Sequence, residues 1–102
     1  MIEVQQLVSE RHVVDDFGAA QEWFHARKWT DGLPVVPPTA ELVGACLDWA
    51  MLGPQHLIGI EPVRERVLTA EKVAINAVMA GCLPMHFPVV VATLTAMLQE
   101  PF

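Results

Sequence analysis

Positive charge is scarce in this chain of 102 residues, which has six Lys and Arg against twelve Asp and Glu and a net charge of −6. The deficit excludes the basic surface that neutralises nucleic-acid phosphates, and it disfavours anionic membrane surfaces. The six glycines are scattered, and the single serine, Ser9, has no flanking glycines. A glycine-rich phosphate loop and a nucleophile elbow are therefore excluded as well.

Long uninterrupted apolar runs are also missing. The longest, residues 83–98, is broken by two prolines and a histidine and is shorter than the ~20 residues that a membrane-spanning helix needs. The first residues lack the basic region and apolar core of a signal peptide, so we expect a cytoplasmic protein. In that reducing compartment, Cys46 and Cys82 are expected to be free thiols.

Apolar side chains are present in excess. Hydrophobic residues make up 53% of the chain and charged residues 18%, with a mean hydropathy of +0.38. Ordinary soluble domains are about 45–50% apolar and about 25% charged, and one of this size hides only about two-thirds of its unfolded surface. We therefore expect residues 1–102 to form one small domain or subunit that another protein partly covers.

Capping residues and apolar periodicity predict a helix-dominated α+β fold, with residues 1–14 as an extended or flexible arm. One extended element is expected at 57–60, followed by a charged link, EPVRERVL. Four helices are predicted. The first runs over about 17–28 after the N-cap candidates Asp15 and Asp16, and the second runs from the Thr39 cap to Gly53. The third is opened by Thr69 and runs to about residue 80, and the fourth runs from Pro88 to Leu98. Because the last helix is apolar on nearly every face, we expect it to be buried on all sides.

Segment 29–39, WTDGLPVVPPT, is predicted to be a long ordered loop that crosses the helices, since its prolines are incompatible with a helix or a central strand. Such loops often carry function. Asp31 is a candidate to bind a cation, accept a proton or orient a substrate hydroxyl, and Trp29 and Gly32 are candidate substrate-binding neighbours. The alternative is that Asp31 and Gly32 simply form an Asx-type turn.

Cys82 follows a predicted helix end at Gly81 and is the candidate nucleophile or redox group. His86, four residues later, is the candidate base. Alternatively, Cys82 is a buried packing residue and His86 caps the last helix or faces solvent. Asn76 is a candidate substrate-binding residue, although a mid-helix amide more often satisfies main-chain groups.

The residues Glu71 and Lys72, at the start of the same helix, are interpreted as a solvated first turn. No metal site is predicted, because none of the histidines and cysteines has the spacing of a ligand pair. The histidines concerned are His12, His25, His56 and His86. The sequence identifies no cofactor.

Two segments, WTDGLPVVPPT (29–39) and EKVAINAVMAGCLPMHFPVV (71–90), resemble the N-terminal region of an uncharacterised bacterial protein family. The likeness covers most of residues 29–102. Chains of that family are usually several times longer and are often encoded near proteins with a selenocysteine-Gly-Ser-Cys motif, which implies thiol or selenol chemistry nearby. The family commonly has Glu at the position of Met85, so a carboxylate role is absent there.

The resemblance implies a split-off subunit or fragment whose missing part is supplied in trans. We therefore expect the small subunit of a heteromeric bacterial enzyme, with a loop and a thiol contributed to a shared site for thiol/redox or lyase-type chemistry. A larger subunit is expected to pack on residues 83–102, and the complex can itself be a homo-oligomer. The alternatives are a non-catalytic module that stabilises a partner and a free-standing homodimer.

Overall fold

The computed structural model describes residues 7–14, 16–28 and 35–99. They form, in chain order, α1 (Phe17–Ala26), α2 (Ala40–Ala50), β1 (Leu57–Glu61), β2 (Arg66–Thr69), α3 (Ala70–Met79), a 3₁₀ turn (Pro84–His86) and α4 (Phe87–Leu98). The predicted helix-dominated α+β fold is confirmed. Among the described residues, none of the helices has the length and apolar character needed to cross a bilayer.

Side-chain caps begin three of the α-helices, as the sequence predicts. The Asp16 carboxylate accepts the Ala19 amide at 2.8 Å at the start of α1. The hydroxyls of Thr39 and Thr69 accept the amide three residues further on, at the starts of α2 and α3. Each cap satisfies a helix amide that has no partner within the helix and contributes about 1 kcal/mol.

The end of α3 also follows the local sequence. Gly81 has φ +93°, a conformation that glycine adopts without steric cost. The Gly81 amide donates to the Val78 carbonyl, and the Cys82 amide donates to the Ala77 carbonyl, both at 2.9 Å. This turn directs the chain away from α3 and fixes the backbone of Cys82.

The segment predicted as a charged link instead contains β2. It pairs with β1 in an antiparallel hairpin in which Glu61 faces Arg66. The Glu61 carboxylate accepts the amides of Val63 and Arg64 at 2.7 and 3.0 Å. An acidic side chain thus stabilises the turn at 62–65, where a glycine or asparagine would ordinarily signal it.

The core lies between α2, α3, the start of α4 and one side of the hairpin. Its buried members come from all four of these elements: Val43, Cys46, Leu47, Ile58, Ala70, Val73, Ala74, Val78 and Phe87. Gly59 allows the hairpin to approach α4 closely, because a Cβ atom there would lie 2.7 Å from Leu98 Cδ1. The hairpin is therefore packed on the last helix.

The last helix does not receive the burial on all sides that we expected. Phe87 is fully buried, and Val90 and Leu94 pack against the core. On the other side, Val89 is 68% exposed and Met97 is 49% exposed. Within the described part of the chain, α4 thus has one covered face and one open apolar face.

The N-terminal arm and α1 lie beside this core. The Gln21 side-chain amide donates to the Val35 carbonyl at 2.7 Å and accepts the Val35 amide at 2.8 Å. The rings of His12 and Trp23 lie 4.3 Å apart between centroids, so the arm contacts α1. These contacts, together with the burial of Ala20 and Phe24, position α1.

Candidate functional site

The loop half of the predicted site, Trp29, Asp31 and Gly32, lies outside the described residues. The described end of the loop, residues 35–39, has no helix or strand, and the Val36 amide donates to the Met79 carbonyl at 3.2 Å. The end of the loop is therefore bonded to the end of α3, three residues before Cys82.

Cys82 is half-buried between α3 and the 3₁₀ turn. Its Sγ donates to the Leu83 carbonyl at 3.3 Å. His86 is exposed, and its backbone amide donates to the same carbonyl at 2.9 Å. No hydrogen bond joins the Cys82 thiol to the His86 imidazole among the described residues. The acid–base pairing of these two side chains therefore stays a prediction.

An open groove of about 620 Å³ runs along α3, between α4 and β2. Most of the residues lining it are apolar, and they are Leu68, Lys72, Val73, Asn76, Ala77, Ala80, Gly81, Cys82, Val90 and Leu94. The groove brings together two residues that the sequence predicts as site residues, Asn76 and Cys82. We refer to it as the α3 groove.

Asn76 is exposed on the rim of the α3 groove, and its Nδ2 donates to the Lys72 carbonyl at 2.9 Å. This contact is the main-chain alternative that the sequence leaves open, formed within one helix turn. The amide oxygen of Asn76 has no hydrogen-bond partner among the described residues. Substrate binding by that oxygen stays a prediction.

The second thiol, Cys46, is completely buried in α2. Burial, with a smaller electrostatic contribution from Cys82, raises the pKa of Cys46 to about 11. Both cysteines are free. Cys46 is thus a protonated packing residue at neutral pH, and Cys82 is the thiol that a reactant can reach.

Glu71 departs most from the sequence interpretation, because its side chain is only 1% exposed and is not part of a solvated turn. Its carboxylate accepts the backbone amides of Val8 at 3.0 Å and Ser9 at 2.7 Å, and the Gln55 side-chain amide at 3.2 Å. The N-terminal arm is therefore anchored on the first turn of α3. An acidic residue at this helix position is common on surfaces, so no local signal identifies it as buried.

The ionisation of Glu71 follows from these contacts. Burial of the carboxyl group raises its pKa, but hydrogen bonds from Ser9 and Val8 and the charge of Lys72 together have the larger effect. The pKa of Glu71 therefore lies below its ordinary value of 4.5. Glu71 is an ionised structural anchor at neutral pH.

Lys72 points its ammonium group to the same arm, where Nζ donates to Ser9 Oγ at 2.9 Å. It also lines the α3 groove and is exposed. Within the described part of the chain, no carboxylate lies within the 4.0 Å of an ion pair with Lys72. The charge of Lys72 helps to lower the pKa of the Glu71 carboxyl group, but the two groups do not form a direct ion pair.

Among the described residues, no group of three or more His, Cys, Asp or Glu side chains is arranged to hold a metal ion. The chemistry that these residues offer is a thiol, an amide and an ammonium group along one apolar groove. No family model, curated protein or solved structure matches this chain.

Proposed function

We propose that this chain is a small subunit of a heteromeric assembly and that the open face of α4 packs against a larger protein partner. The observation that carries the proposal is the exposure of an uncharged helix, in which Val89 is 68% and Met97 is 49% exposed. Contiguous exposed apolar surface marks interaction sites in soluble proteins. The free energy of burying it is recovered only when a partner covers it.

The exposed positions of α4 have the spacing of one helix face. They follow the pattern i, i+3, i+4, i+7 and i+8, and they are Val89, Ala92, Thr93, Ala96 and Met97. The only polar member, Thr93, donates its hydroxyl to the Val89 carbonyl at 2.8 Å. The face therefore offers an apolar surface with no hydroxyl donor that a partner would have to satisfy.

Two further observations support a protein partner. β1 packs against α4, and the hairpin exposes an apolar cross-strand pair, Ile60 and Val67. In addition, the resemblance of segments 29–39 and 71–90 to the N-terminal region of longer chains agrees with a larger body supplied in trans. We expect the partner to contact residues 83–99; residues 100–102 lie outside the described residues.

The test is co-purification at native expression levels, followed by mass measurement of the complex. Wild-type chain should be found with a larger protein, whereas the double variant Val89→Lys with Met97→Lys should be found alone. Val13→Lys is the matched control, because Val13 is fully exposed in the N-terminal arm and belongs neither to α4 nor to the hairpin packed on it. A wild-type chain that is a stable soluble monomer under these conditions would contradict the proposal.

The position of Cys82 favours a second function, which is to contribute its thiol to an active site shared with the partner. Cys82 is the accessible thiol and lines the α3 groove. In the reconstituted assembly, Cys82→Ser should then abolish a thiol-dependent reaction while Cys46→Ala preserves it. Unchanged turnover of Cys82→Ser in an intact assembly would exclude this function. Asp31→Asn and His86→Gln test the other two predicted catalytic residues in the same assay.

A further inference from the structure

We propose that the α3 groove binds an amphipathic alkyl carboxylate, with the carboxylate at Lys72 and the alkyl chain along the apolar walls. This inference goes beyond docking through α4. Val90 and Leu94 face the groove, whereas Val89 and Met97 belong to the open face of the same helix. The two surfaces are therefore separate, and each can be tested alone.

The shape of the groove suits an elongated ligand. One wall is formed by successive turns of α3, from Lys72 to Ala80, which corresponds to about 12 Å along the helix axis. Leu68 and Lys72 line the groove near the start of α3, and Cys82 lines it beyond the end of α3. A linear chain can therefore lie along the length of the groove.

The walls are suited to alkyl groups. Val73 and Ala77 contribute from α3, and Val90 and Leu94 contribute from α4. Each methylene that such walls remove from water strengthens binding by about fourfold. Affinity should therefore rise with chain length until the groove is filled.

Charge complementarity identifies the head group as an anion. Among the described residues that line the groove, Lys72 is the only charged one. Glu71 interacts with the charge of Lys72 but does not line the groove, because its carboxylate is buried and accepts amides from the N-terminal arm and from Gln55. The Lys72 ammonium group has three N–H donors, and Ser9 Oγ accepts one of them. Because no other acceptor for this group lies among the described residues, two donors can bind a ligand carboxylate.

The probe is decanoate, added below its micelle-forming concentration to the full-length chain and followed by calorimetry and by amide chemical shifts. We expect saturable binding with shifts concentrated between residues 72 and 82 and at Val90 and Leu94. Decanol, which has the same chain without the charge, should bind more weakly. Acetate, which has the charge without the chain, should not bind measurably.

Two variants test the arrangement. Lys72→Gln should weaken decanoate binding by about two- to fivefold, the range for a solvent-exposed charge pair, and leave decanol binding unchanged. Ala80→Phe, at an exposed position of the groove, should obstruct the alkyl chain of the ligand and weaken the binding of both decanoate and decanol. Arg64→Gln is the control, because it removes an exposed cation in the hairpin turn. It should change neither the affinity for decanoate nor the affinity for decanol.

Equal affinities for decanoate and decanol, or an unchanged affinity of Lys72→Gln for decanoate, would overturn the proposal. The absence of shifts in the groove would overturn it too, as expected if only a protein partner occupies this surface. The Val89→Lys and Met97→Lys double variant should bind decanoate normally. Loss of assembly and loss of ligand binding are thus distinguishable outcomes.

Discussion

Replacing Glu71 by glutamine keeps the shape of the side chain but removes the negative charge that anchors the N-terminal arm. In the wild-type chain the carboxylate accepts the amides of Val8 and Ser9 from the arm and the Gln55 side chain. Glutamine retains one oxygen that can accept hydrogen bonds, but its NH2 group replaces the other oxygen. That group is a donor and cannot accept a hydrogen bond from the amides around it. At least one of these hydrogen bonds must therefore be lost.

The cost can be worked out from these contacts. A hydrogen bond to a charged group contributes about 1.5–3 kcal/mol, and water can partly rehydrate the exposed arm. We expect Glu71→Gln to lower the free energy of unfolding by about 2 kcal/mol and the Tm by about 8–16 °C. Glu41→Gln, in the exposed first turn of α2, is the matched control and should change stability by no more than about 0.5 kcal/mol.

The pH dependence has a defined sign. Because the folded-state pKa of Glu71 is lowered, its contribution is fully present above the unfolded-state pKa and is lost as the pH falls through the folded-state pKa. The stability difference between wild type and Glu71→Gln should therefore be constant from about pH 7 to pH 5.5 and shrink below about pH 4.5.

Urea unfolding followed by tryptophan fluorescence measures the stability difference, and amide exchange at Val8 and Ser9 reports on the arm. In Glu71→Gln these two amides should exchange much faster than in the Glu41→Gln control. An unchanged urea midpoint together with unchanged exchange at both amides would refute the anchoring role of Glu71.

Two further predictions concern the core. At pH 8, iodoacetamide should modify Cys82 in the native chain but Cys46 only after urea unfolding, because Cys46 is buried and its pKa is about 11. Mass spectrometry measures the labelling of each cysteine, and equal labelling rates in the native chain would contradict this prediction. Gly59→Ala should destabilise the fold by about 1–3 kcal/mol in urea unfolding, since the new Cβ would lie 2.7 Å from Leu98 Cδ1. Gly53→Ala, which meets no atom within 4 Å, should be tolerated, and equal effects of the two substitutions would count against the close approach.

Local signals predicted the helices well. The structure has helix caps and a left-handed helix end at positions that the sequence predicts. The caps are Asp16, Thr39 and Thr69, and the left-handed residue is Gly81. Each of these signals acts within a few residues, so neighbouring sequence determines it. The helix-dominated α+β architecture could be predicted for that reason.

The second strand could not be predicted from its composition. Its turn has Glu65 at φ +54°, with no glycine or asparagine to mark it. The sequence of β2, RVLT, does not alternate between apolar and polar residues, and its first apolar residue, Val67, is exposed in the structure. Pairing with β1 is a tertiary effect that its own residues do not indicate.

The candidate site was predicted only in part. Cys82 and Asn76 share the α3 groove, but Lys72 and the walls from β2 and α4 depend on packing between elements that are distant in sequence. The burial of Glu71 likewise depends on Val8 and Ser9, more than 60 residues away. A single helix turn with Glu and Lys is ordinarily solvated, so the local pattern favoured the wrong environment for Glu71.

The anchor at Glu71 also has a consequence for the order of folding. It joins segments that are 62 and 63 residues apart, so closing this loop has a large entropic cost before any contact is made. The acceptor site requires the first turn of α3, whereas the described residues of the arm add only the partly buried Leu7 to the core. The arm should therefore dock after the rate-limiting step, and weakening its anchor should accelerate unfolding far more than it slows folding.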